Sequence, residues 1–558
     1  MYLFKKLKLF LVILFFFLSQ KYTSQNSSSK ENNLKISGSI GATQTFYNAE
    51  GIQNRRDPYF WMLNANLNIS LFGINVPFSA TFSQQNRSFT QPFNQFGISP
   101  KYKSITVHLG YRSLMYSNYT LGGNLFLGGG IELNPTKSKV KVSTFFGRFT
   151  KAVSKIDTSG QVTGTPAYAR WGGGAKVTIG TASNYFDLIA LKARDVDGYT
   201  LIYDESGNPI RAAENIIGAI STNQKIGKKI AFNGEFAYSA YNTDQFAPEL
   251  NVLKYSYANN FGSFFRPNST SQYNSALQFN ISYSEKFGQI KFIYRRIDPE
   301  YKSMGCVFLN NDLEDLSINL SSRLLKNKIN TTISGGIQRN NLNGELANQM
   351  KRLIGSLNIT YAPTQKLNLS LNASNFNSST TVRRISGPDS LQYSQVTNTA
   401  GINANYSIGN NTKRHNLFLM TNIQQANDNN NKASTFYNAN LGYQMNFTPQ
   451  ALGLTSSLTA NRNASGPQQG GVAGLNVGLN KQLLSKKLRL NASIAYLINY
   501  LDNKTNGSSQ IFRINSNYAP NKHHAISGDI NVLIRNSSNP LVASFKEYRA
   551  SLIYTFIF

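Results

Sequence analysis

A period of two runs through this chain almost without interruption. Over 63–71, Leu63, Ala65, Leu67, Ile69 and Leu71 alternate with Asn64, Asn66, Asn68 and Ser70. The same apolar–polar alternation recurs over 34–46, 76–82, 367–373 and 488–498. Successive residues of a strand point to opposite faces, so each of these segments predicts a strand with one greasy and one polar face. A soluble sandwich also alternates, but it rarely keeps a single texture over so long a chain. Beyond the N-terminal region no apolar run is long enough for a spanning helix, and the mean hydropathy is −0.31. A transmembrane barrel needs apolar residues on one face only, so a polar average suits it.

The two ends add to this reading. Lys5, Lys6 and Lys8 precede the apolar run 9–18, which is too short to span a bilayer and is laid out like a secretory signal. Residues 1–25 are therefore expected to be a signal peptide, cleaved after Ser24 or Gln25, and 26–558 a single transmembrane barrel domain. No cysteine lies nearby, which excludes a lipidated N-terminus. At the other end Tyr548, Ala550, Leu552, Tyr554, Phe556 and Phe558 share one face of a final strand. With these features the chain resembles a bacterial outer-membrane β-barrel of the Bacteroidota type. The resemblance implies that the C-terminal aromatic strand is an assembly signal and that the protein resides in the outer membrane. It also implies contact with outer-membrane lipid and lipopolysaccharide, and periplasmic or lipoprotein partners.

Connection lengths predict the strand number. Short links fall at 72–73, 134–139, 180–184, 225–229, 287–288, 325–328, 362–366, 409–414, 448–453, 485–487 and 519–522. Eleven short turns, with a first and a last strand, give an all-β, antiparallel up-and-down barrel of about 24 strands (22–26). The long links, among them 85–124, 195–214, 241–271, 298–315, 377–395, 425–432, 463–470 and 501–508, then face outward. Charge divides along the same line. The eleven short turns carry 13 Lys and Arg and no acid, whereas 20 of the 26 acids lie in long loops. The formal charge of +30 first suggests nucleic acid. The acid-free, basic short-turn rim argues instead against nucleic acid and for anionic lipid headgroups.

A 24-stranded wall is roughly 45–50 Å across, too wide for side chains to fill. The lumen is then a wet pore unless something occludes it. The segment 85–124 is the best occluding candidate. It is expected to fold inward, with Arg112 and Tyr116 lining the gap; alternatively Ser104–Arg112 and a companion are two more wall strands, making 26. No catalytic constellation stands out around the four histidines, and no enzyme activity, metal or cofactor is expected. The triplets Gly128-Gly129-Gly130 and Gly172-Gly173-Gly174 read as close-packing points in strands rather than phosphate loops. Asp195, Asp197, Asp204 and Glu205, and Asp312, Glu314 and Asp315, lack EF-hand spacing and read as solvated loop acids. Cys306 falls in a loop and reads as incidental. Two functions follow: a channel or passive transporter for polar solutes, or a barrel subunit of a protein-export, surface-attachment or gliding complex.

Overall fold

The computed structural model describes residues 34–84, 94–153, 166–196, 202–203, 209–250, 264–346, 348–382, 391–428, 433–466, 468–540 and 542–558. The signal segment, Asp197, Asp204, Glu205 and parts of several long loops lie outside these residues. One antiparallel sheet holds nearly all the strands, and each pairs with its neighbours in chain order. The first strand, Leu34–Glu50, pairs with the last, Phe545–Ile557, from Ser39↔Ile557 to Glu50↔Lys546. The sheet is therefore a closed barrel, and the predicted all-β up-and-down class holds.

The wall has 26 strands rather than 24. All eleven expected short turns are present, and the twelfth is Lys103-Ser104. It follows a strand in two pieces, Gln95–Ile98 and Lys101–Tyr102. Both pieces pair with Ile74–Ser83 on one side and Ile105–Met115 on the other. Pro100 has no N–H to give the ladder, so the strand breaks there and leaves no run long enough to show a period. Most of 85–124 is thus wall, not an in-folded loop.

Four of the expected outer loops are shorter than their composition suggested. The strands Gln468–Leu483, Leu488–Leu501 and Lys504–Asn521 run 16, 14 and 18 residues, and Leu391–Gly409 runs 19. A tilted crossing takes about 9–11 residues, so these hairpins extend past it. Asp502 and Asn503, with φ of 48° and 61°, close one hairpin in a two-residue turn inside the expected loop 501–508.

Register separates the two faces. Ile318, Ile337 and Leu353 are 54, 57 and 56% exposed and belong to one outward face. The same face continues around the barrel through Ile402, Leu441, Leu458 and Leu475. A contiguous apolar belt of this extent marks a surface that water does not cover. The opposite residues of the sector 313–536 are mainly Asn, Ser and Thr, and they face the lumen. Two substitutions at adjacent positions test the assignment. Leu458→Arg, outward at mid-strand, is expected to destabilise the barrel by about 2–4 kcal/mol, and Thr459→Arg, inward, by less than about 0.5 kcal/mol. Urea unfolding in phospholipid vesicles measures both.

Candidate functional site: a half-filled lumen

The inner face is not uniform. From Gly122–Leu133 to Ser271–Glu285 the lumen-facing residues include Phe126, Phe145, Leu191, Ile217, Ala237 and Ala276, each at most 3% exposed. They belong to one buried cluster with Leu114, Tyr116, Tyr119, Leu121, Tyr301 and Met304. The last five come from two connections, 116–121 and 298–312, that turn into the barrel instead of outward. A buried side chain of this size contributes about 1.5–3 kcal/mol, so the cluster anchors both connections to the wall.

The two inward segments also hold each other through hydrogen bonds. Tyr301 Oη donates to Tyr119 O at 2.8 Å, Ser303 Oγ to Thr120 O at 2.5 Å, and Gly122 N to Gly305 O at 3.1 Å. The wall supplies the remaining partners. Tyr119 N donates to Glu235 Oε1 at 3.3 Å and Tyr119 Oη to Gln278 Oε1 at 2.9 Å. Met304 N donates to Asn215 Oδ1 at 3.1 Å, and Ser239 Oγ to Lys302 O at 2.8 Å. These bonds pair several of the backbone groups that the two non-helical segments bring into the lumen, as irregular chain packed inside a barrel requires.

Small residues set how closely the parts approach. A Cβ on Gly305 would lie 2.4 Å from Thr120 O and 2.7 Å from Leu191 Cδ2. In the expected close-packing triplet, a Cβ on Gly172 would lie 2.3 Å from Phe149 Cε2, and one on Gly174 3.1 Å from Phe145 Cε1. The glycines of that strand therefore make room for the phenyl rings of the next one. Cys306 sits at this junction rather than in a free loop, with Sγ 3.3 Å from Asn118 O and 3.4 Å from Thr120 O. Burial pushes its thiol up, away from the reactive thiolate.

The two residues singled out from sequence occupy different places. Tyr116 lies at the start of the inward segment, 5% exposed, edge-on to Phe145 at 5.7 Å, and its hydroxyl accepts from Ser143 Oγ at 3.1 Å. Arg112 belongs to the wall strand Ile105–Met115 and faces the lumen. Its Nη1 donates to Ser79 Oγ at 2.7 Å and its Nε to Ile98 O at 3.2 Å. It borders a shallow hollow with Ser99 and His108. The second inward segment escaped sequence reading because 298–312 carries outer-loop acids and has no alternation. Its one signal is the closely spaced set Tyr301, Met304 and Cys306, unusually apolar for an exposed loop.

One histidine contact was also missed. His108 Nδ1 lies 2.9 Å from Ser99 Oγ, and Nε2 lies 3.1 Å from Glu132 Oε2. A hydrolase needs backbone donors beside such a serine to hold the oxyanion. Ser99 N–H is already given to Pro77 O at 2.9 Å, and Pro100 has none. The chain of contacts therefore ties the broken wall strand to its neighbours. The two acid groups are dispersed as well. Asp195 is held by Arg170 at 2.8 Å, while Glu314 and Asp315 lie on opposite faces with Arg339 and Arg295. Among the described residues no group of three or more potential ligands converges.

No protein-family model and no curated protein matches the sequence. Solved structures that overlay on the barrel include OccAB2 of Acinetobacter baumannii, at 11% identity over 62% of this chain and 92% of that one, TM-score 0.30. The translocation pore of the P pilus usher PapC overlays at 8% identity over 94% and 99%, TM-score 0.37. The ferric yersiniabactin uptake receptor FyuA of Yersinia pestis overlays at 8% over 95% and 81%, TM-score 0.40. Overlaps this loose carry no argument about what this chain does.

Two outcomes check the packing. Gly305→Val is expected to part the two inward segments and raise single-channel current while the barrel keeps its heat-modifiable migration in gels; unchanged current counts against the junction. The second uses the phenols of Tyr116, Tyr119 and Tyr301. Burial raises all three, Tyr116 to about 12. A value higher folded than free means that the contribution is complete below the free value of 10.0 and is lost as pH rises through the folded one. Current is therefore expected to rise reversibly between about pH 10 and pH 12, and to rise less in Tyr116→Phe.

Proposed function

We propose that this protein is an outer-membrane channel that passes polar solutes through the open sector of a half-filled barrel. The observation that carries the reading is the contrast between the two faces of the sector 313–536. Exposed Ile and Leu lie outside, and Asn, Ser and Thr such as Asn319, Ser334, Asn372 and Asn403 lie inside. An oily exterior fits lipid and a hydroxyl- and amide-lined interior fits water and hydrophilic solutes. Export by a cleaved signal peptide, residence in the outer membrane and contact with lipopolysaccharide belong to the same proposal.

Tyr116–Leu121 and the segment around Tyr301–Cys306 then form the constriction. Beside them a hollow of about 890 Å³ is bounded by Tyr119, Gln278, Arg295 and Arg352. Solutes pass between that surface and the far wall. Arg112 lines the lumen on the other flank of the occluded sector. A second reading, a barrel subunit of an export, surface-attachment or gliding complex with periplasmic or lipoprotein partners, draws on the width. A circular wall of 26 strands is roughly 50 Å across, more than small solutes need.

Planar-bilayer recording of the purified protein decides between them. The channel reading expects discrete conductance steps from the protein alone, and larger steps when 117–120 is replaced by glycines. Absence of current, together with partners that co-purify from native membranes, overturns it in favour of the second.

A further inference from the structure

The short-turn end of the lumen carries a band of cations aimed inward. Around the open sector, Lys291, Arg323, Arg414 and Arg489 occupy the first or second inward position from a short turn. Beneath the filled sector, Lys141 and Lys225 hold equivalent positions. Their faces follow from register. Arg323 neighbours the outward pair Leu324↔Ile329, Arg489 lies between outward Leu488 and Leu490, and Lys225 precedes outward Ile226. All six are exposed or half-exposed. None forms an ion pair among the described residues, in contrast with Lys176, Arg295 and Arg549 higher in the barrel, each of which holds an aspartate.

Carboxylates are missing from the corresponding inward positions around the open sector, from Ser271–Glu285 through Lys504–Asn521. Beneath the filled sector two acids come close. Glu132 is engaged by His108 and Asp187 by Lys176. The basic rim seen in the sequence is therefore two rims. The lysines of the turns themselves, such as Lys486 and Lys487, flank the membrane edge, and this second set faces the water of the pore.

We propose that the band makes the passage selective for small anions, with carboxylate- or phosphate-bearing solutes as the preferred cargo. The inference rests on the channel reading. Charges of one sign along a low-dielectric mouth concentrate counter-ions and speed their entry. Guanidinium groups on rigid strands also offer paired donors to carboxylate or phosphate oxygens. The six charges are spread around the rim of a wide barrel, and at physiological ionic strength the screening length is only about 8 Å. Each cation therefore acts on solutes passing close to its own stretch of wall, and the preference weakens as salt rises.

The test is the reversal potential of the purified protein in a potassium chloride gradient, at low salt and again near ~1 M, where the screening length shrinks to about 3 Å. The expected result is chloride permeating better than potassium at low salt, with the ratio falling toward unity at high salt. Replacing Lys225, Lys291, Arg323 and Arg489 by glutamine together is expected to lower the low-salt ratio about two-fold or more. Inorganic phosphate added on the turn side is expected to reduce chloride current in the parent and less so in the variant. A parent channel that conducts but shows no anion preference overturns this inference and leaves the channel reading standing. A protein that carries no current overturns the channel reading itself, and the inference falls with it. Should the variant not fold, the salt dependence of the parent's reversal potential decides alone.

Discussion

Closure of the sheet is the constraint from which everything else follows. Strand Leu34–Glu50 has two partners, Tyr59–Leu71 and Phe545–Ile557, so the sheet ends on itself. In hydrocarbon an unpaired N–H or C=O costs several kcal/mol, and an open edge would expose a row of them. The seam is drawn to its end: Phe558 N donates to Gly38 O at 3.0 Å, and Ile557 N to His523 O at 2.7 Å. Phe556 and Phe558 stack edge-on at 4.8 Å beside it. An aromatic final strand thus fills a structural position as well as ending the chain.

Within that cylinder the lumen divides into two physical regimes. One sector is dry and jigsaw-packed, with Phe126, Phe145 and Leu191 facing inward and two connections folded over them. The other keeps its amides and hydroxyls in water. The dry half reduces the bore of this wide wall from within. The wall's own inward faces become a core, and short segments from two outer connections complete it. Glycines set how closely the parts approach: Gly172 and Gly174 admit the rings of Phe149 and Phe145 on the neighbouring wall strand, and Gly305 lets its segment settle against Thr120 and Leu191.

Much of this was legible along the chain. The eleven short turns stood out because proline, glycine and lysine interrupt an otherwise strict alternation, and every one is present. The twelfth was hidden because Pro100 splits its strand into pieces of four and two residues, too short for a period to register. The hairpin at Asp502-Asn503 was hidden for the opposite reason. Its polar residues look like loop but continue the ladder. The role of Tyr116 as packing, and the partners of Tyr301, Met304 and Cys306, could not be read along the chain. Tyr116 packs on Phe145 of a neighbouring wall strand, and Tyr301 and Cys306 meet Tyr119 and Asn118, which lie more than a hundred positions away.

The sequence by itself determined the two-faced strand, its direction of hydrophobicity and the basic character of one rim, because these depend on neighbours in the chain and on a fixed period. Tertiary structure decided the strand total, which connections turn inward, and which lysines and arginines face the lumen rather than the outside of the barrel. Those outcomes depend on register and on where a segment finds buried partners. Register is set by pairing across the sheet, and a shift of one residue would reverse every face.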